Sequence, residues 1–556
     1  MRRFGEKSLL AELRGLAAGL AAATLIVVLL PLQVRGQAQA VLTSHLREAV
    51  STGQAEWVDR LPATQSLQLN IMLPLRNEAE LDELLQEIYD PQSPSFHHFL
   101  SVEEFTERFG PSQEDYNAVM RYAQANGLTV TGRAPNRLVV DVTGPVENIE
   151  HAFHVNMSVY RHPTEDRDFY APDQEPSTDL PFALWHIAGL DNFSIPHPAS
   201  LKRAPRAKSG TTGSGPGGYF IGSDMRAAYY GGTLTGSGQS VGLVEFEGYN
   251  ITDVANYFKA VNQPFNQNVV VLVPADKSKT TCAKGCDDTE QVLDIEEAIS
   301  MAPGLASVRV YVSTSSDVNI LNKMATDNIS KSLSCSWGWS PADPTSDDPI
   351  FKEFATQGQN LFVASGDSGA YSSRSSEVYP ADDAYVVSVG GTDLTTKGGG
   401  GAWASETAWS DSGGGISPDK IAIPSYQTTS GVITTANKGS KTYRNSPDVA
   451  AEANTDNYIC YDGTCEGGWG GTSFAAPRWA AYLALVNQQA VSNNVTPVGF
   501  INPTIYAIGL NSAKYGSNFH DITSGSNGTY SATTGYDLVT GWGSPNGSGL
   551  INSLAP

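Results

Sequence analysis

The chain has 556 residues, 40% of them hydrophobic and 17% charged, enough for two or more domains with full cores. Its formal net charge of −23 argues against nucleic acid or an anionic membrane as partner. The same charge fits either plain solubility or service in acid, where protonated carboxyls would relieve self-repulsion.

Arg2, Arg3, Lys7 and Arg14 precede or open an apolar run from about Leu16 to Leu32, followed by Ala38-Gln39-Ala40. A basic n-region, an h-region and a small-x-small site predict a signal peptide over 1–40, with a membrane anchor as the competing reading. The protein is then secreted and keeps no stable membrane association after signal removal. Five cysteines fit that compartment: Cys282 with Cys286 and Cys460 with Cys465 are spaced for local disulfides, and Cys335 reads as a buried core thiol.

Residues 41–200 hold eight of the nine histidines. Strand-like runs at 71–75, 128–131, 137–142 and 157–160 alternate with helical stretches at 78–89, 112–126 and 145–153, which predicts an α+β module with antiparallel strands. A basic, then Gly/Ser-rich stretch over 201–218 reads as a flexible, cleavable linker. From 219 onward, β-branched runs at 240–246, 269–273, 308–312, 332–336, 360–364 and 386–389 alternate with helical stretches at 252–261, 289–300 and 347–357. Such runs predict strands buried on both faces, hence a doubly wound, mostly parallel sheet in an α/β domain.

Gly470-Gly471-Thr472-Ser473-Phe474-Ala475-Ala476-Pro477 reads as a sharp turn that opens a long apolar helix on Ser473. A serine hydroxyl needs a neighbouring base to attack a carbonyl. No histidine lies between His197 and Ser473, so either Ser473 is not catalytic or its base is a carboxylate. Glu290 and Asp294 share one face of a helix at i,i+4 spacing. Two such carboxyls can share a proton and titrate as a unit, although acidic i,i+4 pairs more commonly form solvated helix faces. Asp367 follows the buried run 361–364 and sits between Gly366 and Gly369, at the carboxyl edge of the sheet where α/β sites are built.

Together these motifs resemble the sedolisin family of serine–carboxyl peptidases, including kumamolisin-like enzymes, over residues 41–556. The resemblance implies a subtilisin-like peptidase domain over 219–556. It also implies a ferredoxin-like, antiparallel activation pro-domain over 41–200 that acts as an intramolecular inhibitor, and a cleaved linker over 201–218. It assigns Ser473 as nucleophile, Glu290 as the group that takes its proton, Asp294 as the partner of Glu290, and a protonated Asp367 as the oxyanion donor. Glu245 and Trp337 would extend the carboxylate network. Asp521, Ile522, Thr533, Gly535 and Asp537 match the family's loop for one structural Ca²⁺, with carboxylates and backbone carbonyls as hard oxygen ligands. The implied activity is that of a secreted, acid-acting serine-type endopeptidase made as a zymogen, with proteins or peptides as substrates. The alternatives are release of tripeptides from free N-termini, or a catalytically silent secreted binding protein.

Overall fold

The computed structural model describes residues 39–199, 201–204, 212–278, 280–282, 287–339, 346–372 and 378–556. Nearly all of the expected signal peptide, linker residues 205–211 and Cys286 lie outside them. The described residues belong to one compact unit.

The N-terminal region runs β1 (Glu56–Arg60), β2 (Ser66–Met72), α1 (Glu78–Ile88), α2 (Val102–Arg108), α3 (Gln113–Ala125), β3 (Thr129–Arg133), β4 (Val139–Pro145), α4 (Val146–Phe153), β5 (Met157–Arg161), β6 (Asp168–Pro172) and β7 (His186–Ala188). Leu67, Leu69 and Ile71 alternate along β2 and turn one face inward. Tyr116, Val119 and Ala123 of α3, with Ile149, Ala152 and Phe153 of α4, pack on them. The antiparallel order β3-β4-β2-β7 is that of the ferredoxin-like motif, and β1-β5-β6 form a second antiparallel sheet.

Helices α1 and α2 bury Leu81, Leu85, Ile88 and Phe105 in the core of the C-terminal region instead. Polar contacts continue this seam: Tyr89 Oη donates to Ala355 O (2.6 Å), Asn136 Nδ2 to Glu353 Oε2 (2.7 Å), and Lys352 pairs with Asp82 (3.0 Å).

Three histidines of the N-terminal region, His97, His162 and His186, are disfavoured in their charged form by burial. His45 and His186 stack with ring centroids 4.4 Å apart, and His45 Nε2 accepts the Ile187 N–H (3.0 Å). His162 Nδ1 accepts the Glu165 N–H (3.0 Å). Burial pushes His97 down to about 4, His186 well below the imidazole range, and His162 down as well.

Next come β8 (His197–Pro198), β9 (Lys202–Arg203), α5 (Gly222–Tyr229), β10 (Ser240–Glu245), α6 (Ile251–Ala260), β11 (Val270–Pro274), α7 (Thr289–Met301), β12 (Ser307–Val312), α8 (Asp317–Asp327), β13 (Ser332–Cys335), β14 (Trp337–Gly338), α9 (Asp348–Thr356), β15 (Asn360–Ala364), β16 (Val387–Thr396), β17 (Trp403–Ala408), β18 (Val449–Glu452), β19 (Asn457–Tyr461), β20 (Thr464–Gly470) and α10 (Thr472–Ser492). The large sheet has the order β11-β12-β10-β13-β15-β16-β17, with β18 also on β16. All these pairings are parallel except β16 with β17. Every residue of β13 and β15 is buried, as the near-continuous apolar runs predict.

Helix α10 is buried from Thr472 to Asn487. Arg478 staples it: Nε pairs with Glu297 (2.7 Å), Nη1 donates to Glu452 O (2.6 Å) and Nη2 to Asn457 Oδ1 (2.8 Å). Cys460 and Cys465 close a disulfide between β19 and β20, and Cys335 is a buried free thiol.

Candidate active site

Helix α7 is buried along all thirteen residues, acidic positions included. The solvated acidic face that is the common fate of such a sequence is absent, because α7 is enclosed by α5, α6, α10 and the large sheet. Its i,i+4 spacing places Glu290 and Asp294 on a shared face, looking toward the start of α10 and the ends of β10 and β13.

Four carboxyls and one hydroxyl meet there. Glu290 feels Asp294, Glu245 and Asp367 as like charges and Ser473 as a hydrogen-bonding neighbour. Burial, then Asp294, hold the Glu290 carboxyl well above the ordinary carboxylate range; Ser473 works against them. Ser473 Oγ and Glu290 are adjacent, but neither Glu290 oxygen makes a hydrogen bond of good distance and angle. Such contacts commonly tighten only in the substrate complex. Asp294 accepts the Ser336 hydroxyl (2.8 Å to Oδ1, 3.1 Å to Oδ2) and faces Glu245, a contact that raises Glu245 and holds Asp294 down. Burial is the larger cause and lifts both. Trp337 Nε1 donates to Glu245 Oε2 (3.0 Å), ending the chain. Carboxyls so close share protons and titrate as a unit.

Asp367 is buried on the other side of the serine. Its Oδ1 accepts the Thr472 N–H (2.7 Å) and hydroxyl (2.8 Å). A Cβ on Gly471 would stand 2.5 Å from Asp367 Oδ2, so only glycine fits before the Thr-Ser pair. Ser473, Glu290, Asp294, Asp367, Glu245 and Trp337 are thus one cluster. Two members escaped the sequence reading in these contacts: Ser336, at the end of a strand read only as core, and the Thr472 hydroxyl.

The cleft over Ser473 is filled by the chain itself. His197 and Pro198 pair antiparallel with Gly338 and Trp337, and the Ala199 N–H donates to Ser336 O (2.8 Å). Lys202 and Arg203 pair antiparallel with Gly470 and Trp469, and the Ala204 N–H donates to Gly468 O (2.7 Å). Leu201 packs against Leu293, Ile459 and Phe474. Lys202 and Arg203, read from composition as flexible linker, are therefore strand-paired, and Ala204 is hydrogen-bonded beside them.

The C-terminal loop lies apart from this cluster. Asp521 Oδ1 accepts Tyr515 Oη (3.0 Å) and the Gly535 N–H (3.1 Å); Asp537 Oδ2 accepts the Thr533 N–H (2.9 Å). Both carboxylates act on Tyr515, so they stand near one another. Asp537 is buried, and its donors are uncharged N–H and O–H groups. Ile522 buries its side chain against Ala408, Ala532 and Val539, leaving its carbonyl as the polar group it can offer. Gly535 has φ 79°, a left-handed turn that favours glycine and wraps the loop around both carboxylates. Two carboxylates with backbone carbonyls, one of them buried without a cationic partner among its donors, suit a hard cation such as Ca²⁺.

Comparison with known proteins accords with this geometry. Residues 54–193 match the pro-kumamolisin activation domain, and residues 300–543 match the subtilase family. The chain is 30% identical to kumamolisin of Bacillus sp. (strain MN-32) over 551 residues, covering 93% of this chain and 96% of that protein. It is 29% identical to sedolisin of Pseudomonas sp. (strain 101), over 87% of this chain and 86% of that one. Identity to tripeptidyl-peptidase 1 of Canis lupus familiaris is 26%, over 90% and 93%. Among solved structures, a Pseudomonas sedolisin, a serine-carboxyl proteinase complexed with two molecules of pseudo-iodotyrostatin, superposes with a TM-score of 0.52 at 26% identity, over 62% of this chain and 98% of that one. With a subtilisin-like sheet, a serine at the start of α10 among buried carboxyls, and these relatives along its length, the chain belongs to the sedolisin family of serine-type peptidases and carries the family's N-terminal activation domain.

Proposed function

We propose that this chain is a secreted, acid-acting endopeptidase made as a zymogen, with Ser473 as nucleophile and Glu290 as its base. The observation that carries this reading is that His197–Ala199 and Leu201–Ala204 lie along the cleft as a peptide substrate would, strand-paired to β14 and to β20.

In the proposed reaction Ser473 Oγ attacks the peptide carbonyl while Glu290 takes the hydroxyl proton. Asp294 and Glu245 spread the charge that Glu290 gives up or gains, held in place by Ser336 and Trp337. Asp367, protonated, donates a hydrogen bond to the tetrahedral oxyanion; ionised, it would repel that oxyanion. Collapse breaks the C–N bond, Glu290 returns the proton to the leaving amine, and water completes hydrolysis of the acyl-enzyme. Rate is then bounded on the acid side by protonation of the Glu290–Asp294–Glu245 set and on the alkaline side by ionisation of Asp367.

The threaded segment supports endopeptidase action, since the chain continues upstream of His197 through Pro196, Ile195 and Ser194 without a break. It also supports maturation by a cut next to Ala199, whose N–H is bonded to Ser336 O. Asp521, Ile522, Thr533, Gly535 and Asp537 would hold one Ca²⁺, which supplies charge balance to the loop and no step of the reaction. Export rests on the N-terminal signal pattern.

Acid treatment of the purified zymogen tests the reading, with sequencing of the product's N-terminus and assays on peptides with free or blocked N-termini. The reading expects a new N-terminus at Ser200, equal cutting of blocked peptides, and neither product nor activity from Ser473→Ala. Cutting of free N-termini alone, in units of three residues, would instead establish a tripeptidyl-peptidase.

A further inference from the structure

The backbone N–H and the hydroxyl of Thr472 both reach one oxygen of Asp367. The Gly366 N–H, which can only donate, is bonded to Thr472 Oγ1 (3.0 Å). The hydroxyl keeps one proton and a second lone pair, and its proton reaches Asp367 Oδ1, 2.8 Å away, where the Thr472 N–H, which can only donate, also arrives at 2.7 Å. Oδ1 therefore receives two donors from one residue. Oδ2 lies on the opposite, cleft side: the Cβ position of Gly471 is 2.5 Å from Oδ2 and 2.9 Å from Cδ2 of Leu201, a residue of the threaded segment.

We propose that Thr472 is a positioning residue that locks the acid proton of Asp367 on Oδ2, aimed at the oxyanion. The inference rests on the reading of Asp367 as a protonated oxyanion donor. A carboxylic acid can carry its proton on either oxygen, and a half-turn about Cβ–Cγ exchanges the two. A proton placed on Oδ1 would face the Thr472 N–H head-on and lose that bond, and it would force the hydroxyl to turn round and accept. The lock favours the arrangement in which the acid donates toward the cleft, which is the preorganisation that oxyanion stabilisation needs.

The arrangement has a cost that makes it visible. Donors onto a carboxyl also favour its charged form. Thr472 thus makes Asp367 easier to ionise, against the like charge of Glu290 across the site. The start of α10 and the threaded segment present Thr472, Gly471 and Leu201 to Asp367, none of which titrates. Removing the hydroxyl should therefore lower the plateau rate and, at once, let Asp367 keep its proton to higher pH.

The test compares activated wild type with Thr472→Val, Thr472→Ser, Thr472→Ala and Asp367→Ala, each matured by an added protease that cuts the basic linker. Rates on a soluble peptide are read across pH, with thermal unfolding as a check on folding. For Thr472→Val, kcat is expected to fall by about tenfold with KM nearly unchanged, a scale typical of a misaligned catalytic group. Its alkaline limb should move up by about half a pH unit or more. Thr472→Ala should do the same if the valine variant does not fold, and Thr472→Ser should retain both rate and limb. An unmoved limb in the valine and alanine variants, or a serine variant as slow as they are, overturns the lock. Full activity in Asp367→Ala overturns the oxyanion reading itself and the lock with it.

Discussion

At the scale of residues, the site is an economy of protons among buried carboxyls. Glu245, Glu290 and Asp294 are all held above the ordinary range, with burial the first cause in each case. A carboxyl so raised keeps its affinity for a proton where ordinary carboxylates have lost theirs, which suits proton exchange with a serine. Glu290→Gln and Ser473→Ala are each expected to lower kcat by at least about a thousandfold, measured on denatured protein as substrate. Asp367→Asn keeps a donor but cannot ionise, and the amide is a weaker donor than the acid. Its rate is expected to drop by about a hundredfold while the alkaline limb of the pH profile disappears. A variant that kept the wild-type limb would show that another group sets it.

At the scale of elements, α7 and α10 define the site, and the bond that ties them is testable. Arg478 and Glu297 are both 1% exposed, and the guanidinium also satisfies a carbonyl of β18 and Asn457 of β19. Arg478→Met leaves Glu297 buried without its partner and is expected to cost about 3–5 kcal/mol, read by chemical denaturation. On the proposal that Asp521 and Asp537 hold Ca²⁺, a chelator is expected to lower the unfolding temperature of the wild type and to leave Asp537→Ala, already destabilised, unmoved. The motifs carried Ser473, Glu290, Asp294 and Asp367 in the sequence because each sits in a short local pattern: a Gly-Gly turn, an i,i+4 spacing, a strand followed by Gly-Asp. What the sequence did not carry depends on tertiary neighbours. Nothing in the composition of α7 separates a solvated acidic face from a buried one, since burial comes from three helices and the sheet around it. Ser336 lay inside a buried run, and only the approach of α7 turns its hydroxyl into a donor to Asp294. The pairing of Lys202 and Arg203 was likewise invisible, because a basic stretch has no strand pattern until β20 offers its edge.

At the scale of the whole molecule, the two regions respond to acid in opposite directions. In the N-terminal region His97, His162 and His186 have folded pKa values below the ordinary 6.5, so unfolding takes up protons and their contribution is lost as pH falls through that value. Asp141 runs the other way, since burial raises it. In the C-terminal region Glu245, Glu290, Asp294 and Glu452 are well above the carboxylate range, Asp382 is at about 6 and Glu353 at about 8. Unfolding releases protons from these carboxyls, so their contribution is fullest below the unfolded carboxylate range and is lost as pH rises through the folded values, with His520, lowered by burial to about 4, the counter-example. Hydrogen exchange on the Ser473→Ala zymogen is expected to show 54–193 loosening first as the solution is acidified, with 219–556 most protected in acid; uniform loosening would contradict this. The strand pairing in the cleft has a kinetic consequence as well. A segment tethered in the cleft competes as though present at roughly millimolar concentration, whatever the dilution of the protein. Latency then reflects occupancy of an assembled site rather than a distorted one, and the first cut is first order: its half-time stays constant as the zymogen is diluted, while every later cut slows.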